Sequence, residues 1–175
     1  VYHVRMPRKG TSILLRVLSW LVFHMVSTAL ALSIPRPDVV VAPSPPLTIG
    51  VNAWLIGLLR RCPYVYNVQE IYPDAAIALG ALRCSLLIRL LSALERFVYH
   101  RAALVTVIAP HMQARLVQKG TIPNKLRVIP NFVDVDERHH FWGTGNLVKF
   151  AEGLLRIEVL NQVIFVFDND AEGVD

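Results

Sequence analysis

Two groups of carboxylates stand where chemistry can be done. The first is Glu70 and Asp74, in Gln69-Glu70-Ile71-Tyr72-Pro73-Asp74. The second is Asp168 and Asp170, in Asp168-Asn169-Asp170-Ala171-Glu172-Gly173. A carboxylate just past a strand can orient a hydroxyl, move a proton or stabilise a developing charge. It can equally sit at the start of the next helix, where acidic residues are favoured. That second use is open for Asp74, which precedes Ala75 and Ala76. Two carboxylates at alternate positions beyond a strand can share one magnesium ion. A solvated acidic turn has the same composition, so both readings stand for Asp168 and Asp170. Cys62 and Cys84 add nothing to either group. Two cysteines cannot make a disulfide scaffold, and their separation is not a metal-ligand spacing. A reducing, cytoplasmic location is the default. His100 and His111 fall on helical segments and read as helix-surface or core residues.

The carboxylates need elements to hold them. Asp38-Val39-Val40-Val41-Ala42 is a continuous apolar run entered from a turn, as a buried parallel strand should be. Pro43-Ser44-Pro45-Pro46 ends it. Thr48 to Arg61 reads as a helix with Trp54, Leu55, Leu58 and Leu59 on one face. Tyr64 to Val68 is the next strand, and the Glu70 loop follows it. Leu86 to Ala103 is a long helix with Leu87, Leu90, Leu91, Leu94 and Val98 at helical spacing. Leu104 to Ile108 is a third strand. Pro110 to Lys119 is a helix stopped by Gly120, where a left-handed turn is cheap. Lys125 to Ile129 is a fourth strand, ending in Pro130-Asn131-Phe132-Val133-Asp134. Alternating strand and helix predicts a doubly wound α/β fold, a parallel sheet with helices on both faces. Ligands bind beyond the carboxyl ends of such strands. The loops after three of these strands should therefore line one cleft.

Composition narrows the class. The chain is 54% hydrophobic and only 18% charged, which excludes a disordered protein. Charge is divided unevenly. Residues 1–137 hold 15 Lys+Arg against 7 Asp+Glu, whereas residues 138–175 hold 3 against 6. The sign change predicts two pieces, 1–137 and 138–175. The basic residues are scattered, with no aromatic-interleaved stripe, so nucleic acid is a weak partner for the first piece. Val17 to Ile34 carries no formal charge. Its length sits at the lower edge for a membrane span. A buried helix, a helix lying on a membrane surface and a true span are all open. Arg8, Lys9 and Arg16 before it, and Trp20 near its start, suit contact with anionic headgroups.

Three segments in order carry a family resemblance. They are Arg36-Pro-Asp-Val-Val-Val-Ala-Pro-Ser-Pro-Pro-Leu47, Val68-Gln-Glu-Ile-Tyr-Pro-Asp-Ala-Ala76 and Val128-Ile-Pro-Asn-Phe-Val-Asp134. Over about residues 1–137 the chain resembles the N-terminal domain of glycosyltransferase family 4. These are GT-B enzymes, and the nearest likeness is to those of bacterial exopolysaccharide and lipopolysaccharide assembly. The resemblance implies a nucleotide-sugar donor, a lipid-linked or polysaccharide acceptor, and no required cofactor. It implies a cytoplasmic protein working at the inner face of the cell membrane. Ser44, Pro45 and Pro46 would line the cleft. Glu70, Tyr72 and Asp74 would lie where acceptor and sugar meet, with Glu70 and Asp74 as catalytic candidates. Asn131 and Asp134 would mark the hinge to a donor-binding domain. That domain is not in the sequence, so the resemblance implies that this chain alone does not transfer sugar.

The tail reads differently. Leu147 to Leu160 is amphipathic, and Val163-Ile-Phe-Val-Phe167 is a buried-type strand ending at the second acidic group. This looks like part of a Toprim domain, the metal-binding module of topoisomerases and primases. Asp168 and Asp170 would be its magnesium ligands, in a fragment of a nucleic-acid enzyme.

Overall fold

The computed structural model describes residues 13–131 and 163–165. The elements run α1 (Ile13–Ser33), β1 (Val39–Pro43), α2 (Thr48–Arg60), β2 (Tyr64–Val68), α3 (Asp74–Ala78), α4 (Ser85–Arg101), β3 (Leu104–Val107), α5 (Pro110–Gln118), β4 (Leu126–Val128) and β5 (Val163–Phe165). A 3-10 turn at Pro123–Lys125 leads into β4. The sheet order is β4-β3-β2-β1-β5 and every pairing is parallel. The expected α/β fold is the observed one. Gly120 takes φ +91° just past α5, as a residue ending a helix there should.

The crossovers from β1 to β4 all step in one direction across the sheet. Parallel crossovers are right-handed, so their helices must gather on one face. They do. Buried residues of α1, α2, α4 and α5 share one cluster with Val40, Ala42, Tyr64, Tyr66, Val68, Val105 and Val107. The opposite face buries Val39, Val41 and Val65 beside Leu104 and Ile129, and no described helix contributes to that cluster. The described part is thus one winding of the expected fold. The alternation of Val39, Val40, Val41 and Ala42 between two clusters explains why β1 is apolar throughout.

On two helices the stripe named from the sequence is only partly inward: Trp54 of α2 and Leu94 and Val98 of α4 pack on the core, and the rest of each stripe does not. On α2 the inward residues are Ile49, Gly50, Asn52, Ala53, Ile56 and Gly57. Leu55, Leu58 and Leu59 face out. On α4 only Glu95, Val98 and Tyr99 are buried, while Leu87 and Leu90 are exposed. The reason is space. Tyr66 and Val98 fill the gap beside Gly50, so α2 must carry a small residue at that point. A Cβ on Gly50 would lie 2.4 Å from Val98 Cγ1 and 2.9 Å from Tyr66 Cε2. Gly50→Ala is therefore expected to destabilise the domain. Overpacking costs about 1–3 kcal/mol, partly offset by about 1 kcal/mol of helix propensity. A urea midpoint unchanged from the parent would show that this approach is looser than described.

Most of the uncharged run lies in α1, which is 21 residues long and begins ahead of it at Ile13. Among the described residues, no helix is long and apolar enough to cross a membrane. Instead α1 packs against α2 through polar groups. Asn52 Nδ2 donates to Ser27 Oγ at 2.8 Å, and Thr28 Oγ1 donates to Asn52 Oδ1 at 2.7 Å. The Arg60 guanidinium donates to the carbonyls of Leu32 and Ile34, a favourable place for a cation at a helix C-terminus. Ser27 and Thr28, which interrupt the apolar run, thus make a polar contact with α2.

The tail strand is present as β5 and joins the same sheet. Val40 pairs with Ile164 and Val41 with Phe165.

Candidate functional site

The carboxyl ends of β1, β2 and β4 bring the expected loops together. Ser44 follows β1 and is 6% exposed. Its N–H donates to the Asn67 carbonyl at 2.8 Å. Its Oγ accepts from the Gln69 N–H at 2.9 Å and from the Glu70 N–H at 3.4 Å. Ser44 therefore ties the first loop to the second. Pro45 is exposed and Pro46 half-buried beside it. The Ser44–Pro45, Pro45–Pro46 and Tyr72–Pro73 bonds are cis. Asn131, after β4, donates from Nδ2 to Gln69 Oε1 at 2.7 Å. Ser44, Gln69 and Asn131 thus form a chain of bonds across the end of the sheet. Asp134 lies outside the described residues.

Gln69 is the residue that sequence reasoning passed over. It stands first after β2, between Ser44 and Asn131, and it is uncharged. Its place in the segment was legible, but only the sheet order shows what it bridges.

Ser44→Ala leaves the Gln69 N–H without its acceptor. An unmet buried donor costs about 1–3 kcal/mol. The melting temperature should fall, and the Gln69 amide should exchange faster with deuterium. Unchanged exchange there would sink this role for Ser44.

The two catalytic candidates differ sharply. Glu70 is exposed, and no described side chain bonds its carboxylate. Asp74 is the first residue of α3 and makes no capping bond. Both of its oxygens are taken. Lys119 Nζ lies 2.7 Å from Oδ1, and Arg115 Nε and Nη2 lie 2.9 and 2.8 Å from Oδ2. Partial burial works to raise the Asp74 pKa. The hydrogen bonds and charges of Lys119 and Arg115 outweigh it and hold the carboxyl below the usual range. Tyr72 is half-buried and packs against the helix-side core.

Beneath Asp74 lies a second carboxylate with no sequence signal. Glu95 on α4 is 1% exposed and sits 2.6 Å from Lys119 Nζ. Burial pushes its pKa up, with Lys119 opposing. Burial also raises the phenols of Tyr66 and Tyr99, whose rings lie 5.9 Å apart. Lys119 thus joins the exposed loop at Asp74 to the buried interior at Glu95.

Among the described residues, no three His, Cys, Asp or Glu side chains form a group that could hold an ion. Asp168 and Asp170 lie outside the described residues.

Residues 1–131 match the model of the glycosyl transferase 4-like domain. The chain belongs to that family. No curated protein matches it. The glycosyltransferase-like domain implies binding of a sugar donor and an acceptor in general terms. Its match covers all three loops up to Asn131 and stops short of the tail. The Toprim likeness of residues 138–175 gains nothing from it.

Proposed function

We propose that this glycosyl transferase 4-like domain holds the acceptor during sugar transfer from a nucleotide-sugar donor. The acceptor is a lipid-linked glycan or a growing polysaccharide, as in exopolysaccharide assembly at the inner face of the cell membrane. Glu70 carries the reading, because among the described residues no side chain bonds its carboxylate where the loops converge. Its charge is free to accept an acceptor hydroxyl and to stabilise charge developing at the reacting sugar. Ser44, Pro45, Pro46 and Tyr72 wall the site. Asn131 and Asp134 lead from it toward a donor-side domain, with residues 1–137 as the acceptor unit. Asp74 acts as a positioning residue, holding α3 against α5 beneath the Glu70 loop. The reading needs no metal. Magnesium and a nucleic-acid role belong to the separate Toprim likeness of residues 138–175.

Saturation-transfer NMR tests this with lipid-linked glycans in micelles, free polysaccharide fragments and nucleotide-sugars. Saturation should pass from the protein to a glycan acceptor. A folded chain that transfers saturation to no glycan would overturn the proposal.

A further inference from the structure

The described helices cover one face of the sheet. Side chains alternate across a strand, so Val39 and Val41 of β1 and Val65 of β2 belong to the other face. Their cluster adds only Leu104 of β3 and Ile129, just past β4. Neighbours within a sheet widen such a cluster but do not roof it. Yet Val39 is 5% exposed, Val41 1% and Val65 7%. Parallel sheets are buried on both faces. These valines need a cover that no described helix supplies.

We infer that residues 147–160 of this same chain cover that face. The path of the chain selects this occupant. From β1 to β4 the strands step one way, and the crossover helices lie on one face. From β4 the chain must return past β3, β2 and β1 to reach β5 at the far edge, again parallel. A right-handed crossover in the reverse direction passes over the opposite face. That is the face of the three valines. The path crosses four strand spacings, about 19 Å. Residues 132–162 are available for it. Within them Leu147, Phe150, Ala151, Leu154 and Leu155 share one side at helical period, with Lys149, Glu152 and Arg156 on the other. As a helix the segment would be about 21 Å long, enough to cross. Residues 1–12 lead instead into α1, whose Phe23 and Ala31 are buried on the helix side. The tail then completes the second winding of the sheet, although the family match ends at residue 131. This cover stands whether or not the domain binds glycans.

The test is methyl NMR on the full chain. The methyls of Val41 and Val65 should show Overhauser contacts to Leu154, Leu155 or the Phe150 ring. Phe150→Glu with Leu154→Glu should abolish these contacts and lower the urea midpoint, because charge then faces an apolar sheet. Lys149→Gln with Arg156→Gln, on the other side of the segment, should change neither. If the glutamate variant does not fold, the contacts in the parent still decide. Contacts from the valines to residues 1–12 would overturn the inference. Contacts that appear only between differently labelled copies would also overturn it, and would give the face to a second copy. So would Val41 methyls that a soluble paramagnetic probe broadens as strongly as those of Leu58, which is 59% exposed. A folded glutamate variant with the parent's urea midpoint counts equally against it.

Discussion

Lys119→Met should destabilise the domain by about 3 kcal/mol at pH 8 and by only about 1 kcal/mol at pH 5. Removing one partner of a buried pair leaves an uncompensated charge, and Glu95 is 1% exposed. Its carboxyl already sits above the usual range because of burial, with Lys119 holding it down. Without Lys119 it must rise further. A carboxyl whose folded pKa is raised contributes most at low pH, where it is protonated, and stability is lost as pH climbs through the folded value. The variant should therefore lose stability steadily above about pH 5, where an unfolded glutamate is already ionised.

Asp74 has the opposite sign. Its folded pKa is depressed, so its contribution is full above its unfolded value, near 4, and is lost as pH falls through the folded one. Lys119→Met weakens that contribution too, though Arg115 remains. Adding Glu95→Gln should restore most of the loss at pH 8, because a neutral amide needs no cation. Urea unfolding at the two pH values measures all of this. Equal destabilisation at pH 5 and pH 8 would show that Glu95 carries no buried charge.

Glu70→Gln should weaken binding of the glycan acceptor by roughly tenfold to a hundredfold while leaving stability unchanged. A hydrogen bond to a charged group contributes about 1.5–3 kcal/mol, and the amide keeps shape without charge. Stability should hold because no described side chain depends on this carboxylate. Asp74→Asn should behave in reverse. It removes the charge facing Lys119 and Arg115, so the melting temperature should fall. Acceptor affinity, measured well below that temperature, should stay near the parent's. The pair separates a residue that meets the ligand from one that positions the loop. If Asp74→Asn loses affinity and Glu70→Gln does not, the two assignments are exchanged.

Much of this was present in the chain's order of residues. Strand and helix alternate because β1 is apolar on both faces and the loops after the strands are rich in proline and polar groups. That alternation determines the parallel sheet, and the parallel sheet determines which end collects the loops. The gathering of the loops that carry Ser44, Glu70 and Asn131 was legible for that reason. Their bonds through Gln69 were not, because a neutral side chain shows its partner only when strand order is known. Asp74 was legible as a carboxylate at a helix start, but its two cations arrive from α5 and the residue just after it, more than forty positions along.

The direction of the helix faces was decided by tertiary packing alone. Periodicity marks a stripe on a helix but does not say which way it points. Leu55, Leu58 and Leu59 make a leucine stripe on α2, yet Ile49, Gly50, Ala53, Ile56 and Gly57 are its buried side. Tyr66 and Val98 already fill the space beside Gly50, and only a residue without a Cβ lets the helix come close there. On α4 a buried glutamate takes an inward position because Lys119 reaches it. On α1, Ser27 and Thr28 turn inward because Asn52 offers them partners. The sequence by itself determined the elements and their order, through local periodicity and turn chemistry. The tertiary structure decided their orientation, because volume and hydrogen-bond partners come from residues far away in the chain.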